Sequence, residues 1–124
     1  MNPFITNTIL PWVALVGPRQ GYIQLAPSQV CESFTDLPPA LFTVAQAWAC
    51  QLEAMGAARV LWLTLAEVTH HKHIHLYPRW PDDPLQGVAL FEARDTAPQP
   101  PWNEACQTAL AAWAQQHQVH LIQP

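Results

Sequence analysis

Residues 71–78 constrain the fold of this chain more than any other stretch. His71, Lys72, His73, Ile74, His75, Leu76, Tyr77 and Pro78 run in alternation, and alternation is the period of a β-strand, in which every second side chain shares a face. His71, His73 and His75 therefore project together, about 6.5–7 Å apart per step. Lys72, Ile74 and Leu76 face the other way. An imidazole row is a poor way to fill a core, because each neutral ring needs a donor and an acceptor and a charged ring needs solvent or an anion.

The flanking segments supply elements for that strand to pair with. Trp12–Val16 is β-prone, Gly17-Pro18-Arg19-Gln20-Gly21 reads as a turn, and Tyr22–Leu25 alternates up to a stop at Pro27. The two strands form a hairpin. Thr35 or Asp36 can cap a helix that carries Pro38 and Pro39 in its first turn and ends at Gly56. Leu41, Val44, Ala45, Trp48, Leu52 and Met55 lie on one face of that helix at the spacing of core packing. Val60–Leu65 reads as a buried strand, with a turn near Glu67–Thr69. Residues 81–101, rich in Pro, read mostly as loop with a short strand at Val88–Phe91. A second helix spans about Trp102–Gln116, and a strand, Val119–Ile122, closes the chain.

These pieces predict one α+β domain over residues 1–124, an antiparallel sheet of about five strands with two helices. The length of 124 residues suits one core and is short for two. Half the residues are apolar and 11% are charged, which favours a globular chain that meets a partner through apolar surface. The net charge is −4 and Lys72 is the only lysine, so a long nucleic acid is not the expected partner. A single mononucleotide needs few donors and stays allowed. Cys31, Cys50 and Cys106 are odd in number and lack CxxC spacing, which argues against a disulfide framework or structural zinc and for reduced thiols in the cytoplasm. No signal peptide or membrane span is evident.

Three readings of the histidine row compete. One is a polar surface row without chemistry. A second is a metal site, since imidazole ligates zinc, copper and nickel. No Asp or Glu lies in the run, however, and the outer two of three alternating residues stand about 13 Å apart. The third is phosphate chemistry, in which a neutral histidine attacks phosphorus.

The stretch His71-Lys72-His73-Ile74-His75-Leu76-Tyr77-Pro78-Arg79, continuing Trp80-Pro81-Asp82-Asp83, resembles the motif of the histidine-triad (HIT) superfamily. That motif has three histidines alternating with apolar residues, then Pro-Arg and an acidic loop. Pro11–Arg19 and Glu32–Leu37 resemble the first strand with its turn, and the segment leading into the helix, of a bacterial branch. The likeness covers roughly residues 8–84. It implies a HIT-like fold, commonly homodimeric, and nucleotide hydrolysis or nucleotidyl transfer at an α-phosphorus. The middle histidine, here His73, would be the nucleophile. His71 and His75 would contact phosphate and orient it, and no cofactor or obligatory metal is expected. Arg79 can meet a phosphate or pair with Asp82 or Asp83. The alternative is a diverged domain that binds a nucleotide or other anion without turnover. Departures from the pattern bear on that alternative. Gly17 stands where many members carry a ribose-holding Asn, Gly21-Tyr22 replaces Gly-His, Lys72 replaces an apolar residue, and the loop before the triad, 66–70, is short. Strand alternation turns His70 away from the triad.

Overall fold

The computed structural model describes residues 2–65 and 70–123. Five strands, β1 (Trp12–Val16), β2 (Ile23–Pro27), β3 (Arg59–Leu63), β4 (Ile74–Arg79) and β5 (Val119–Ile122), form one sheet in the order β3-β4-β2-β1-β5. β1 and β2 make the expected antiparallel hairpin, with Val16 opposite Ile23 and Trp12 opposite Pro27. β4 pairs antiparallel with both β2 and β3. β5 lies parallel to β1, so the sheet is mixed and mainly antiparallel.

Among the described residues there are three α-helices, α1 (Pro39–Ala54), α2 (Gly87–Glu92) and α3 (Glu104–His117), and one turn of 3-10 helix at Phe34–Asp36. α1 begins with proline at its first position, where a missing N–H costs nothing. Gly56 follows its end at φ +105°, a conformation that glycine adopts without strain. α3 is capped by Asn103, whose Oδ1 accepts from the Cys106 N–H at 2.8 Å.

Ile23, Leu25, Ile74 and Leu76 turn to one side of the sheet and meet Leu41, Val44, Trp48 and Leu52 of α1 and Leu110 and Trp113 of α3. Both long helices thus cover one face. α2 replaces the strand expected at Val88–Phe91. A half-buried strand would bury alternate residues, whereas here the adjacent Leu90 and Phe91 are buried and Val88 is exposed. One turn of helix places that pair on Tyr22 and Tyr77, on the sheet face opposite α1. The turn expected near Glu67–Thr69 lies outside the described residues. Among the described residues, no helix is long and apolar enough to cross a membrane.

Candidate active site

The polar face of β4 carries the site. The regular ladder starts only at Ile74, so His71 and His73 precede it. Their alternation persists because the segment is anchored from both sides. The Lys72 N–H donates to the Cys31 carbonyl at 2.8 Å, and the Thr64 hydroxyl donates to the His73 carbonyl at 3.0 Å. His71, His73 and His75 line one cavity of about 690 Å³, within the usual range for small-molecule sites. His70 reaches its rim, against the expectation that alternation would turn it away, because the backbone is not yet a strand there.

Hydrogen bonds assign the tautomers of His71 and His73, since a carbonyl only accepts. His73 Nδ1 lies 3.0 Å from the His71 carbonyl. Nδ1 must carry the proton, which leaves the lone pair of the neutral ring on Nε2. His71 Nε2 donates to the Pro27 carbonyl at 2.7 Å, and its Nδ1 accepts from the Asn2 side-chain amide at 3.1 Å. Both nitrogens of His71 are bonded, and the residue has no exposed surface. The phosphate contact expected of it does not fit this geometry. His75 Nδ1 is 2.7 Å from the Tyr22 hydroxyl. Burial pushes the Tyr22 phenol up to about 12, so it stays protonated and can donate.

All three imidazoles are held neutral. Burial lowers the pKa of His71 below the ordinary histidine range, against the opposing pull of its bond to Pro27. Burial likewise lowers His73, aided by the neighbouring His71 and Lys72 charges and opposed by its bond to the His71 carbonyl. His75 falls furthest, to about 4, through burial first and then the charges of His73 and Arg94. Phe4, itself buried, packs its ring 4.9 Å from that of His73 and 5.2 Å from that of His71, so the N-terminal segment forms one wall.

Arg79 is not brought to the histidines. It closes β4 opposite Arg59, and it is absent from the cavity lining among the described residues. One of the two acidic partners expected for it is taken: Asp83 forms a two-pronged ion pair with Arg19, at 2.6 and 2.9 Å. Burial pushes the Asp83 carboxyl up, but the bonds from Arg19 and from the Trp80 N–H outweigh this and hold it below the ordinary range.

Sequence reasoning did not single out Asn2, Phe4, Arg19 or Arg94. Asn2 and Phe4 precede the motif, and Arg19 and Arg94 look like ordinary turn residues. Tyr22 and Gly17 were legible only as departures, and they turn out to be coupled. A Cβ on Gly17 would lie 2.3 Å from Cδ2 of Tyr22, so the tyrosine ring occupies the space of any side chain at 17. Among the described residues, no group of three or more His, Cys, Asp or Glu side chains is arranged to hold a metal ion.

No protein-family profile matches the chain, and no curated protein does. Solved structures do share its fold. A histidine triad protein from Sinorhizobium meliloti is 19% identical, with a TM-score of 0.53, over 82% of this chain and 79% of its own. A zinc-bound histidine triad family protein from Mycobacterium smegmatis is 18% identical, with a TM-score of 0.50, over 90% of this chain and 84% of its own. The fold is therefore the histidine-triad-like α+β fold. On it, this chain places three alternating histidines in one cavity.

Proposed function

We propose that the histidine cavity binds a nucleotide and cleaves it at the α-phosphorus through Nε2 of His73. The observation that carries this reading is the bond from His73 Nδ1 to the His71 carbonyl, which directs the free lone pair to the far nitrogen of a ring already held neutral. Nε2 forms a P–N bond as the bond to the leaving group breaks. The leaving group departs with that electron pair and takes any proton it needs from solvent. The positive charge gained by His73 is shared with the carbonyl through Nδ1–H. Water then attacks phosphorus, the P–N pair returns to Nε2, and a proton is released, giving a nucleoside monophosphate. In this reading Tyr22 donates to Nδ1 of His75, which puts the ring proton on Nε2, where it can donate a hydrogen bond to a phosphate oxygen.

One feature favours the second reading, binding without turnover. His71 and His75 are neutral at pH 7, so neither supplies an acid for a poor leaving group. A hydrolysis screen over nucleoside phosphoramidates and dinucleoside polyphosphates separates the two. On the first reading His73→Ala lowers kcat/KM about a thousandfold or more, the scale of losing a nucleophile. Equal activity in both proteins removes His73 from the mechanism, and binding without turnover selects the second reading.

The proposed chemistry needs no metal. His71 has no free ring nitrogen, so three imidazoles cannot converge on one ion without breaking its bonds. Untagged protein dialysed against chelator is expected to keep its activity; loss restored by stoichiometric zinc would reverse that. The reading also includes a homodimer and, with Cys31, Cys50 and Cys106 all unpaired, a reducing compartment such as the cytoplasm.

A further inference from the structure

Among the described residues, Arg94 is the one lysine or arginine that lines the histidine cavity. It follows α2, in the stretch that composition reads as loop. Its guanidinium lies over the Phe91 ring, 4.2 Å from the centroid, and Nη1 donates to the Phe91 carbonyl at 2.9 Å. Phe91 in turn packs against His75, with ring centroids 5.1 Å apart. Among the described residues no carboxylate pairs with Arg94, whereas Arg19 is neutralised by Asp83. Most of the five N–H donors of Arg94 therefore stay available beside the triad. A second cavity, of about 380 Å³, adjoins the first and shares Tyr22, Gln24 and Arg94 with it, so the guanidinium stands where the two meet.

This position is built rather than incidental. Gln99 donates from Nε2 to the carbonyls of Arg94, at 3.1 Å, and Ala97, at 2.9 Å. Its Oε1 accepts from Nε of the buried Arg19 at 2.7 Å and from the Tyr77 hydroxyl at 3.1 Å. The turn bearing Arg94 is thereby strapped to the buried ion pair at the base of the sheet. These four part-buried bonds fix the turn on a rigid scaffold, as functional loops are held.

We infer that Arg94 is the anion-binding residue of this cavity, holding the phosphate group presented to His73, and that Gln99 is the residue that positions it. A guanidinium fork matches two phosphate oxygens with parallel hydrogen bonds, and a phosphate needs such a partner in a site whose imidazoles are all neutral. The inference rests on the nucleotide reading above and takes over the role that the sequence assigned to Arg79.

The test measures binding of inorganic phosphate and of adenosine 5′-monophosphate, by calorimetry and by the imidazole NMR shifts of His73 and His75. Wild type is expected to bind both ligands, Arg94→Ala to bind about tenfold to a hundredfold more weakly, and Arg94→Lys to recover part of the loss. Arg94→Ala also raises the pKa of His75, since one of the charges that depress it is gone. Gln99→Ala weakens binding in the wild-type background but adds little in Arg94→Ala; equal losses in both backgrounds would overturn the positioning role. Wild type and Arg94→Ala binding equally well would overturn the inference and leave the His73 reading standing. No binding of either ligand by wild type would overturn both.

Discussion

At the scale of single residues, the site is an exercise in tautomers. Three imidazoles sit within one strand's reach: a carbonyl fixes which nitrogen His71 and His73 protonate, and His75 meets the Tyr22 phenol. Tyr22 is the partner supplied by a side chain, so it can be removed without moving the backbone. Tyr22→Phe is expected to cost about 1–2 kcal/mol, the range for leaving one buried polar atom unsatisfied, and to mix the two tautomers of His75, visible in its ring ¹⁵N shifts. Unchanged shifts would mean that Tyr22 does not set the tautomer. Gly17→Asn, which restores the residue many HIT members carry, is expected to disturb the same His75 signals, because a Cβ there displaces the Tyr22 ring. The two positions, 17 and 22, are thus sterically coupled.

At the scale of elements, the hairpin turn is fastened to the loop after β4. Arg19, 1% exposed, reaches Asp83, the Pro78 carbonyl and Gln99. Tryptophan N–H groups add to this: Trp48 donates to Gly21, Trp80 to Gln20 and Trp102 to Gly17. Every carbonyl they reach lies in residues 17–21, which fixes the turn beside the mouth of β4. Asp83→Ala strands a buried guanidinium and is expected to destabilise the fold by about 3–5 kcal/mol in denaturant unfolding. Replacing both partners, Arg19→Met with Asp83→Leu, is expected to recover much of that, because no lone charge remains. A double variant as unstable as Asp83→Ala would show that desolvation of the charge is not the cause.

At the scale of the whole molecule, the buried histidines make stability depend on pH. The folded-state pKa of His75, about 4, lies below the 6.5 of an unfolded histidine. Above pH 6.5 both states are neutral and pH has no effect through this group. Between 6.5 and 4 the unfolded state binds the extra proton, so stability falls as pH falls, by on the order of 3 kcal/mol in total. His71 and His73 act in the same direction. The midpoint of urea unfolding is expected to drop from pH 7 to pH 4.5, and less steeply in His75→Gln; a flat profile would contradict the burial argument. β3 is an edge of the sheet, and Trp62 on it is 44% exposed, with Leu65 beyond it 64% exposed. The proposed homodimer would cover such surface, and light scattering giving only monomer at micromolar concentration would count against it.

The sequence alone determined whatever depends on local period and local chemistry. Alternation placed Ile74 and Leu76 in the core and the histidines opposite, helical spacing set α1 and α3, and glycine and proline marked the hairpin turn. The histidine row was legible for the same reason, since alternation alone puts three imidazoles on one face. Only the tertiary structure decided what depends on contacts distant in the chain. β5 lies parallel to β1 because α3 packs on the helix-bearing face and returns the chain in that direction. α2 forms because Leu90 and Phe91 find Tyr22 and Tyr77. Arg19 rather than Arg79 claims Asp83, across 64 residues. Arg94 lines the cavity, and Gln99 ties its turn to that pair. Alternation says which way a side chain points, but the partner it meets is set by packing.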